Sequence, residues 1–314
     1  MPRVSELYPA GEITLREVGL RDGLQLVKTF PSTDAKREWI RKEYGAGVRH
    51  FEVGSFLPPA RFPQFADIRD LLSDVAALDG AHSSALTLNE RGINDALASP
   101  VDELVCVVSA SEEHSLANAR RTREEAVALV ARAVELARQS ARRPKVYAGV
   151  SVAFGCTIAG EVPQAEVMRI AEACLDAGAD HIGLADTVGF AGPAQVGRYA
   201  QDIRRLVGDA AFGIHLHDTR GMAIANAAAA LDAGARILDG SLGGLGGCPF
   251  APGASGNIVF EDLVFLCETK GFATGIDVEK LAAVREILER EMPSEPLYGM
   301  VAKSGPPPGI AWRA

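Results

Sequence analysis

Eight short apolar runs of strand length alternate with amphipathic, helix-like runs along almost all of the 314 residues. This alternation limits the possible folds, because strands joined by helical connections pair in parallel. The strands are predicted at residues 13–20, 49–55, 82–88, 103–109, 145–154, 181–187, 212–217 and 237–242. The helices are predicted to begin near Thr33, Ala66, Asn89, Thr122, Pro163, Pro193, Gly221 and Asn257. Eight such units predict an α/β protein with a closed (β/α)8 TIM barrel.

A weak internal repeat supports the barrel. Residues 45–52, 177–183 and 233–239 each combine a helix end, a glycine stop and the start of a strand, although Ala-Gly-Ala is common in α/β proteins. A doubly wound open sheet is the rival fold, but no G-x-G-x-x-G motif follows the first strand. We expect a single catalytic domain over residues 1–314, with the barrel at about 12–275. Additional C-terminal helices, including one at 278–292, and a Pro/Gly-rich tail would fill 276–314.

Charge and cysteine content exclude several classes of protein. The net charge of -9 argues against nucleic acid and anionic membranes as partners. No apolar stretch reaches membrane-spanning length, and no signal peptide is recognisable. The odd number of cysteines, five, includes no C-x-x-C pair, which favours a reduced compartment and predicts a cytoplasmic protein.

Two distant motifs bear the candidate chemistry. Arg21 and Asp22 follow the first strand, and His215 and His217 lie two residues apart on one face of the seventh. Two imidazoles and a carboxylate are a plausible ligand set for a divalent metal, and the arginine could stabilise an oxyanion. A salt bridge is the structural alternative for Asp22. Glu52 and Asp186 are further acids on strands. The remaining histidines are interpreted as isolated non-ligands: His50, His82, His114 and His181.

A glycine-rich segment at residues 243–257 contains Cys248 and ends at Asn257. Its glycines are unsuited to the interior of a helix or strand. We interpret it as a lid that carries an acid/base group, with a surface loop or an anion-binding nest as alternatives. Asn257 could face the metal or cap the following helix.

The motifs at residues 21–25, 215–219, 244–250 and 254–257 resemble those of 3-hydroxy-3-methylglutaryl-CoA lyases. The similarity runs from about Glu12 to Lys280. The resemblance implies metal ligation by Asp22, His215, His217 and Asn257. It implies catalytic roles for Arg21, Asp22, Glu52, Asp186, His215 and Cys248. Substrate binding would involve Gln25, Lys28, Gly246 and Gly247. Leu20 and residues 26–28 depart from the family pattern near the substrate pocket.

The resemblance implies cleavage of 3-hydroxy-3-methylglutaryl-CoA, or a close 3-hydroxyacyl-CoA, to acetyl-CoA and an oxo acid. A divalent metal, Mg²⁺ or Mn²⁺, would be required without any organic prosthetic group, and the protein would be a homo-oligomer, a dimer by family resemblance. The alternatives are a lyase for citramalyl-CoA or a longer-branched 3-hydroxyglutaryl-CoA, a condensing synthase, and a non-enzymatic binding barrel. The cysteine loop argues against the synthase, and the intact metal and acid set argues against the binding barrel.

Overall fold

Eight parallel strands close into a barrel in sequence order, with the last strand paired to the first, in the computed structural model of the protein. The structure describes residues 4–247 and 256–307. The strands are β1 (Thr14–Glu17), β2 (His50–Ser55), β3 (His82–Leu86), β4 (Glu103–Ser109), β5 (Lys145–Ser151), β6 (His181–Asp186), β7 (Gly213–Leu216) and β8 (Ile237–Gly240). The predicted TIM barrel is confirmed.

Helices connect the strands, and further helices follow the last strand towards the C-terminus of the chain. They are α1 (Val4–Leu7), α2 (Thr33–Ala46), α3 (Ile68–Ala76), α4 (Glu90–Leu97), α5 (Glu112–Ala119), α6 (Arg123–Gln139), α7 (Gln164–Asp176), α8 (Pro193–Val207), α9 (Ala223–Asp232), α10 (Phe260–Thr269), α11 (Val278–Ala283), α12 (Arg285–Glu291) and α13 (Met300–Ser304). Among these described helices, none combines the length and the apolar character that crossing a membrane requires.

Local signals placed several helix ends correctly. The Asn89 side chain accepts the Gly92 N–H at the start of α4, and Thr122 forms a capping box with Glu125 at the start of α6. The helix predicted over 278–292 is present but divided at Val284 into α11 and α12. Asn257 does not begin α10, since it forms a bridge with His217 before the helix starts at Phe260.

Alternation along the strands separates the barrel interior from the helix-facing core. On β4, Leu104, Cys106 and Val108 belong to the large core between strands and helices. Val105 and Val107 have the opposite parity and line a cavity inside the barrel.

The amino-terminal end of the barrel contains a buried aromatic and polar cluster. Tyr8 stacks on His50 with ring centroids 5.4 Å apart, and His50 contacts His82 at 4.9 Å. His181 Nε2 lies 2.6 Å from Glu103 Oε2, which also accepts a hydrogen bond from the Tyr8 hydroxyl. The expectation that His50, His82 and His181 are isolated is therefore wrong. The possible metal-ligand group in the described residues does not include them.

Two buried glutamates, Glu17 and Glu261, support the start of the glycine-rich segment, and a third, Glu43, is buried close to both of them. Glu17 accepts the N–H of Leu242, and Glu261 accepts the N–H of Gly243. Burial raises the pKa of Glu17 to about 8, although its backbone hydrogen bonds act in the opposite direction. Burial and then the nearby Glu17 charge raise the pKa of Glu43 well above its ordinary value. The folded protein therefore retains protons that the unfolded chain releases.

We expect Glu43→Gln to weaken the pH dependence of stability. A carboxyl whose pKa is raised by folding loses its contribution as pH rises from the unfolded value, about 4.3, towards the folded value. Because the amide cannot ionise, the variant should gain free energy of unfolding relative to wild type at pH 8 and differ little at pH 4. Urea unfolding across this range measures the slope. The exposed Glu289→Gln is the control; parallel curves for wild type and Glu43→Gln would contradict the expectation.

Candidate active site

A cavity of about 370 Å³ lies inside the barrel and extends to the carboxyl ends of the strands. It brings together residues that are far apart in sequence, because the ends of parallel strands meet on one face of a barrel. Seven predicted site residues line it: Arg21, Asp22, Gln25, Glu52, His215, His217 and Gly247.

A single π-helical turn over Gly19–Gly23 presents Arg21 and Asp22. The Gly23 N–H bonds to the Val18 carbonyl five residues earlier, so the chain leaves β1 at Glu17 instead of continuing to residue 20 as predicted. Gly19 permits the turn, because a Cβ there would lie 2.6 Å from Glu17 Oε1. Single π turns occur frequently at functional sites. Here the wide turn directs two successive charged side chains towards the site.

Asp22, His215 and His217 converge on one point. Asp22 Oδ2 lies 3.3 Å from His217 Nε2 and 3.8 Å from His215 Nε2. One ligand atom from each residue lies within 4.8 Å of the other two, as a metal site requires. Burial opposes ionisation of Asp22. The Arg21 charge and the His217 hydrogen bond outweigh burial and hold the Asp22 pKa well below its usual range. The acid is thus in the form that binds cations.

Asn257 reaches this cluster through close backbone packing. Its Nδ2 donates to Asp22 Oδ2 at 2.8 Å and to the Leu245 carbonyl at 2.9 Å. Its Oδ1 is buried without a hydrogen-bond partner in the described part of the chain. Gly246 has a φ of +106°, and a Cβ there would lie 2.6 Å from Asn257 Nδ2. Gly246 is therefore needed for the close approach of Asn257, and it does not line the cavity.

Arg21 is held between carboxylates on the cavity wall. Its Nη1 donates to Asp22 Oδ1 at 2.6 Å and to Gln25 Oε1 at 3.4 Å. Its Nε lies 2.9 Å from Glu52 Oε1 in an ion pair without hydrogen-bond geometry. Burial raises the Glu52 pKa, although the Arg21 charge lowers it. The guanidinium is therefore fixed in direction and only partly buried.

Asp239 is a site residue that sequence analysis missed. Its carboxylate accepts hydrogen bonds from Arg16 at 2.6 and 3.0 Å and lies 3.0 Å from His215 Nδ1. Since a carboxylate only accepts, His215 donates from Nδ1 and leaves the Nε2 lone pair towards Asp22. Burial would lower the His215 pKa, but the Asp239 hydrogen bond and charge raise it. Alternation on β8 was the available signal, because it turns Asp239 inward.

Two predicted site residues lie away from the cavity, and a third lies outside the residues that the structure describes. Asp186 is buried and accepts the backbone N–H groups of Phe190 and Ala191, so its carboxylate holds the turn after β6 and does not line the cavity. Lys28 is exposed beyond the cavity. Cys248 lies outside the described residues.

The backbone after β5 is strained beside the cavity. Val152 has a φ of +49°, in the left-handed region that β-branched residues avoid, and is completely buried. Its N–H donates to Thr187 Oγ1 at 2.9 Å, which fixes the turn next to the cavity-lining Ser151. Strain of this kind is concentrated at functional sites. Sequence periodicity contains no signal for it.

The donor set fits a divalent cation. It combines two imidazole nitrogens and an ionised carboxylate. The side chain of Asn257, which is bonded to Asp22, adds a buried amide oxygen beside them. Asp239 supplies the carboxylate–histidine support that metal-binding imidazoles commonly have.

Comparison with known proteins agrees with this arrangement. The HMGL-like family model matches residues 12–288. The hydroxymethylglutaryl-CoA lyase YngG of Bacillus subtilis is 35% identical over 285 residues, covering 91% of this chain and 94% of that protein. The (R)-citramalyl-CoA lyase of Chloroflexus aurantiacus is 37% identical over 308 residues, covering 94% and 95%. A solved structure of a 3-hydroxy-3-methylglutaryl-CoA (HMG-CoA) lyase from Acinetobacter baumannii, in complex with coenzyme A and 3-methylmalate, is 35% identical with a TM-score of 0.88. The match covers 96% of this chain and 97% of that one. The chain belongs to the HMGL-like family and is a carbon–carbon lyase.

Proposed function

We propose that the protein cleaves 3-hydroxy-3-methylglutaryl-CoA to acetyl-CoA and acetoacetate in a single catalytic domain. The observation that supports this most is the convergence of Arg21 with Asp22, His215 and His217 on one cavity. The names of the B. subtilis and A. baumannii relatives agree with the substrate.

Citramalyl-CoA is the second candidate substrate. The citramalyl-CoA lyase of C. aurantiacus matches 94% of this chain, and the A. baumannii complex contains 3-methylmalate, a short branched hydroxy acid. Both candidate thioesters have a tertiary carbinol carbon next to the carbon that becomes the acetyl methyl group. The same bond chemistry therefore serves either of them.

Asp22, His215, His217 and Asn257 would hold Mg²⁺ or Mn²⁺ in this proposal. The ion would act as a Lewis acid that polarises substrate oxygen atoms. The local charge supports a bound cation. Three buried carboxylates beside the site, those of Asp22, Glu52 and Asp239, contact the guanidinium groups of Arg16 and Arg21. When all of these groups are ionised, the negative charges exceed the positive charges by one.

The cleavage is a retro-aldol step of the Claisen type, because the carbanion that it releases is a thioester enolate. The 3-hydroxyl loses its proton, the C2–C3 bond breaks, and its electron pair moves to the thioester as an enolate while C3 becomes a carbonyl carbon. Arg21 would stabilise the negative charge on the thioester oxygen, because its guanidinium is held rigidly at the cavity wall. Glu52 and Gln25 would fix its direction. A proton added to C2 then completes acetyl-CoA.

Proton transfer requires an acceptor and a donor in the cavity. Asp22 and His215 are the candidate acceptors for the hydroxyl proton, and Cys248 is the candidate donor to C2. Asp186 would act through the turn after β6 that it holds, and Gly247 would lie beside the bound acyl group.

The direct test is acetyl-CoA release from a panel of 3-hydroxyacyl-CoA thioesters in the presence of Mg²⁺, followed by mass spectrometry. Release from 3-hydroxy-3-methylglutaryl-CoA at the highest kcat/KM supports the proposal. A higher value for citramalyl-CoA would replace it with the second candidate. Cleavage of neither substrate would contradict the proposed function.

We expect His217→Ala to lose tight divalent-metal binding while remaining folded. The variant removes one of three converging donors but leaves the strand pairing of β7 intact. Titration with Mn²⁺ followed by electron paramagnetic resonance measures the affinity without relying on activity. His82→Ala, which removes an imidazole at the other end of the barrel, is the control and should bind as wild type. Unchanged Mn²⁺ affinity in His217→Ala would remove this residue from the ligand set.

We expect Asp239→Asn to weaken metal binding by about 10–100-fold, the usual effect of losing a partner that orients a ligand. The uncharged amide would neither hold Arg16 bidentately nor favour the His215 tautomer with its proton on Nδ1. The matched control is Glu103→Gln, which removes the other carboxylate partner of Arg16 without touching His215. Equal Mn²⁺ affinities for the two variants, with both shown to be folded by circular dichroism, would argue that Asp239 has no positioning role.

We expect Arg21→Met to retain the metal and lower kcat by at least about 10²–10³, the cost of losing one oxyanion donor. The exposed Arg41→Met on α2 is the charge-matched control. Steady-state kinetics decide the role: a raised KM with unchanged kcat would make Arg21 a binding residue.

A further inference from the structure

The cavity has two chemically different sides. The interior positions of β1, β2, β7 and β8 and the turn after β1 carry charged or imidazole groups: Arg16, Arg21, Asp22, Glu52, His215, His217 and Asp239. The lining from β3 to β5 is mainly apolar. Its polar members are Ser151 of β5 and His114 and Asn118 of α5. We name as the apolar wall the five apolar side chains Leu86, Leu88, Val105, Val107 and Tyr147.

The apolar wall is separate from the main hydrophobic core. Leu86, Val105 and Tyr147 form a cluster of their own, with Leu88 and Val107 packed against it. Strand neighbours of opposite parity, such as Leu104 and Val146, belong instead to the core under the helices. The side chains of the wall therefore pack on one another and on the cavity.

The wall lies across the barrel from the candidate metal ligands. In a closed barrel of eight strands, each strand faces the one four positions away, so β3 faces β7 and β4 faces β8. Leu86 on β3 is thus opposite His215, and Val105 on β4 is opposite Asp239. A ligand held at the charged side presents its far side to the wall.

Tyr147 closes the end of the cavity that is farther from the carboxyl ends of the strands. From β5 it reaches across the barrel to Arg16 on β1, whose guanidinium carbon lies 4.5 Å from the ring centroid. Gly183 makes room for it, because a Cβ there would lie 1.8 Å from the Tyr147 hydroxyl oxygen. Arg16 is itself fixed by Asp239 and Glu103. The ring is therefore a rigid floor.

C3 of the candidate substrates is a tertiary carbinol carbon, which bears both polar groups and an apolar alkyl branch. Its hydroxyl and its carboxylate-bearing group suit the charged side, which leaves the alkyl branch to point away from them. An alkyl group that moves from water to an apolar surface gains about 0.8 kcal/mol per carbon, which is about fourfold in affinity or kcat/KM.

We propose that the apolar wall binds the alkyl branch at C3 of the acyl group and that Val105 and Tyr147 limit the length of this branch. This inference rests on the proposed function, which it deepens by naming the residues that select the branch. It predicts a preference for a small alkyl branch over hydrogen and rejection of longer chains that meet the Tyr147 ring.

The test is a series of 3-hydroxyglutaryl-CoA thioesters with hydrogen, methyl, ethyl or propyl at C3. Wild type should prefer methyl over hydrogen by about fourfold in kcat/KM, and the value should fall at propyl. Val105→Ala should lower the methyl-to-propyl ratio at least tenfold, and Tyr147→Leu should act in the same direction. Tyr147→Phe should leave the ratio unchanged, because its ring still forms the floor.

The control is Val108→Ala, the same deletion on the same strand but on the face towards the main core. Both substrates are measured on one preparation, so a partly unfolded variant leaves the ratio intact. Equal ratios in Val105→Ala, Val108→Ala and wild type would overturn the inference while the lyase activity stands.

A binding measurement separates failure of the inference from failure of the proposed function. Glutaryl-CoA and 3-methylglutaryl-CoA lack the hydroxyl and cannot be cleaved in this way. Calorimetry should show about fourfold tighter binding of the methyl compound to wild type and a smaller preference in Val105→Ala, which removes part of the apolar contact. If this preference is found without cleavage of any hydroxy thioester, the wall stands and the proposed reaction fails. Equal affinities for the two compounds in wild type, or no binding of either, would overturn the proposal that the apolar wall binds the branch.

Discussion

The interior of this barrel depends on the carboxylate of Asp239. It joins Arg16, which is only 5% exposed, to His215 by three short contacts. Leaving a buried ion without its partner typically costs about 3–5 kcal/mol. Arg16 in turn contacts Glu103, which pairs with His181 and Tyr8 at the opposite end of the barrel. A chain of compensated charges therefore runs from the candidate metal ligands to the amino-terminal end of the strands.

The barrel was predictable from the sequence, and so was much of the site. Apolar runs of strand length separated by amphipathic segments predict β/α units, and polar residues at strand ends predict a site at one face. For Asp22, His215 and His217 this reasoning needed only strand direction and alternation. It was sufficient because closure of a parallel barrel brings the ends of all strands together, whichever helices connect them.

What the sequence left open depends on tertiary packing. The π turn after β1 needs Gly19 to fit against Glu17, and the left-handed Val152 is held by Thr187 from the next strand. The division of residues 278–292 into two helices has no proline or glycine to mark it. His50 and His82 appeared isolated because they are 32 positions apart, yet the register of β2 and β3 makes them direct neighbours. Register is a property of the sheet, and no local pattern encodes it.

The two sides of the cavity divide the requirements of a lyase between two halves of one barrel. Charged groups can remain buried only if each has partners, and those partners occupy the interior positions of β1, β2, β7 and β8. This network cannot change one residue at a time without leaving a buried charge unpaired. Leu86 and Val105 need no charged partner, since replacing one apolar side chain by another changes volume and not charge. Under the proposed function, changes in the preferred acyl branch are therefore physically easiest on β3–β5, where they leave the half with the candidate metal ligands undisturbed.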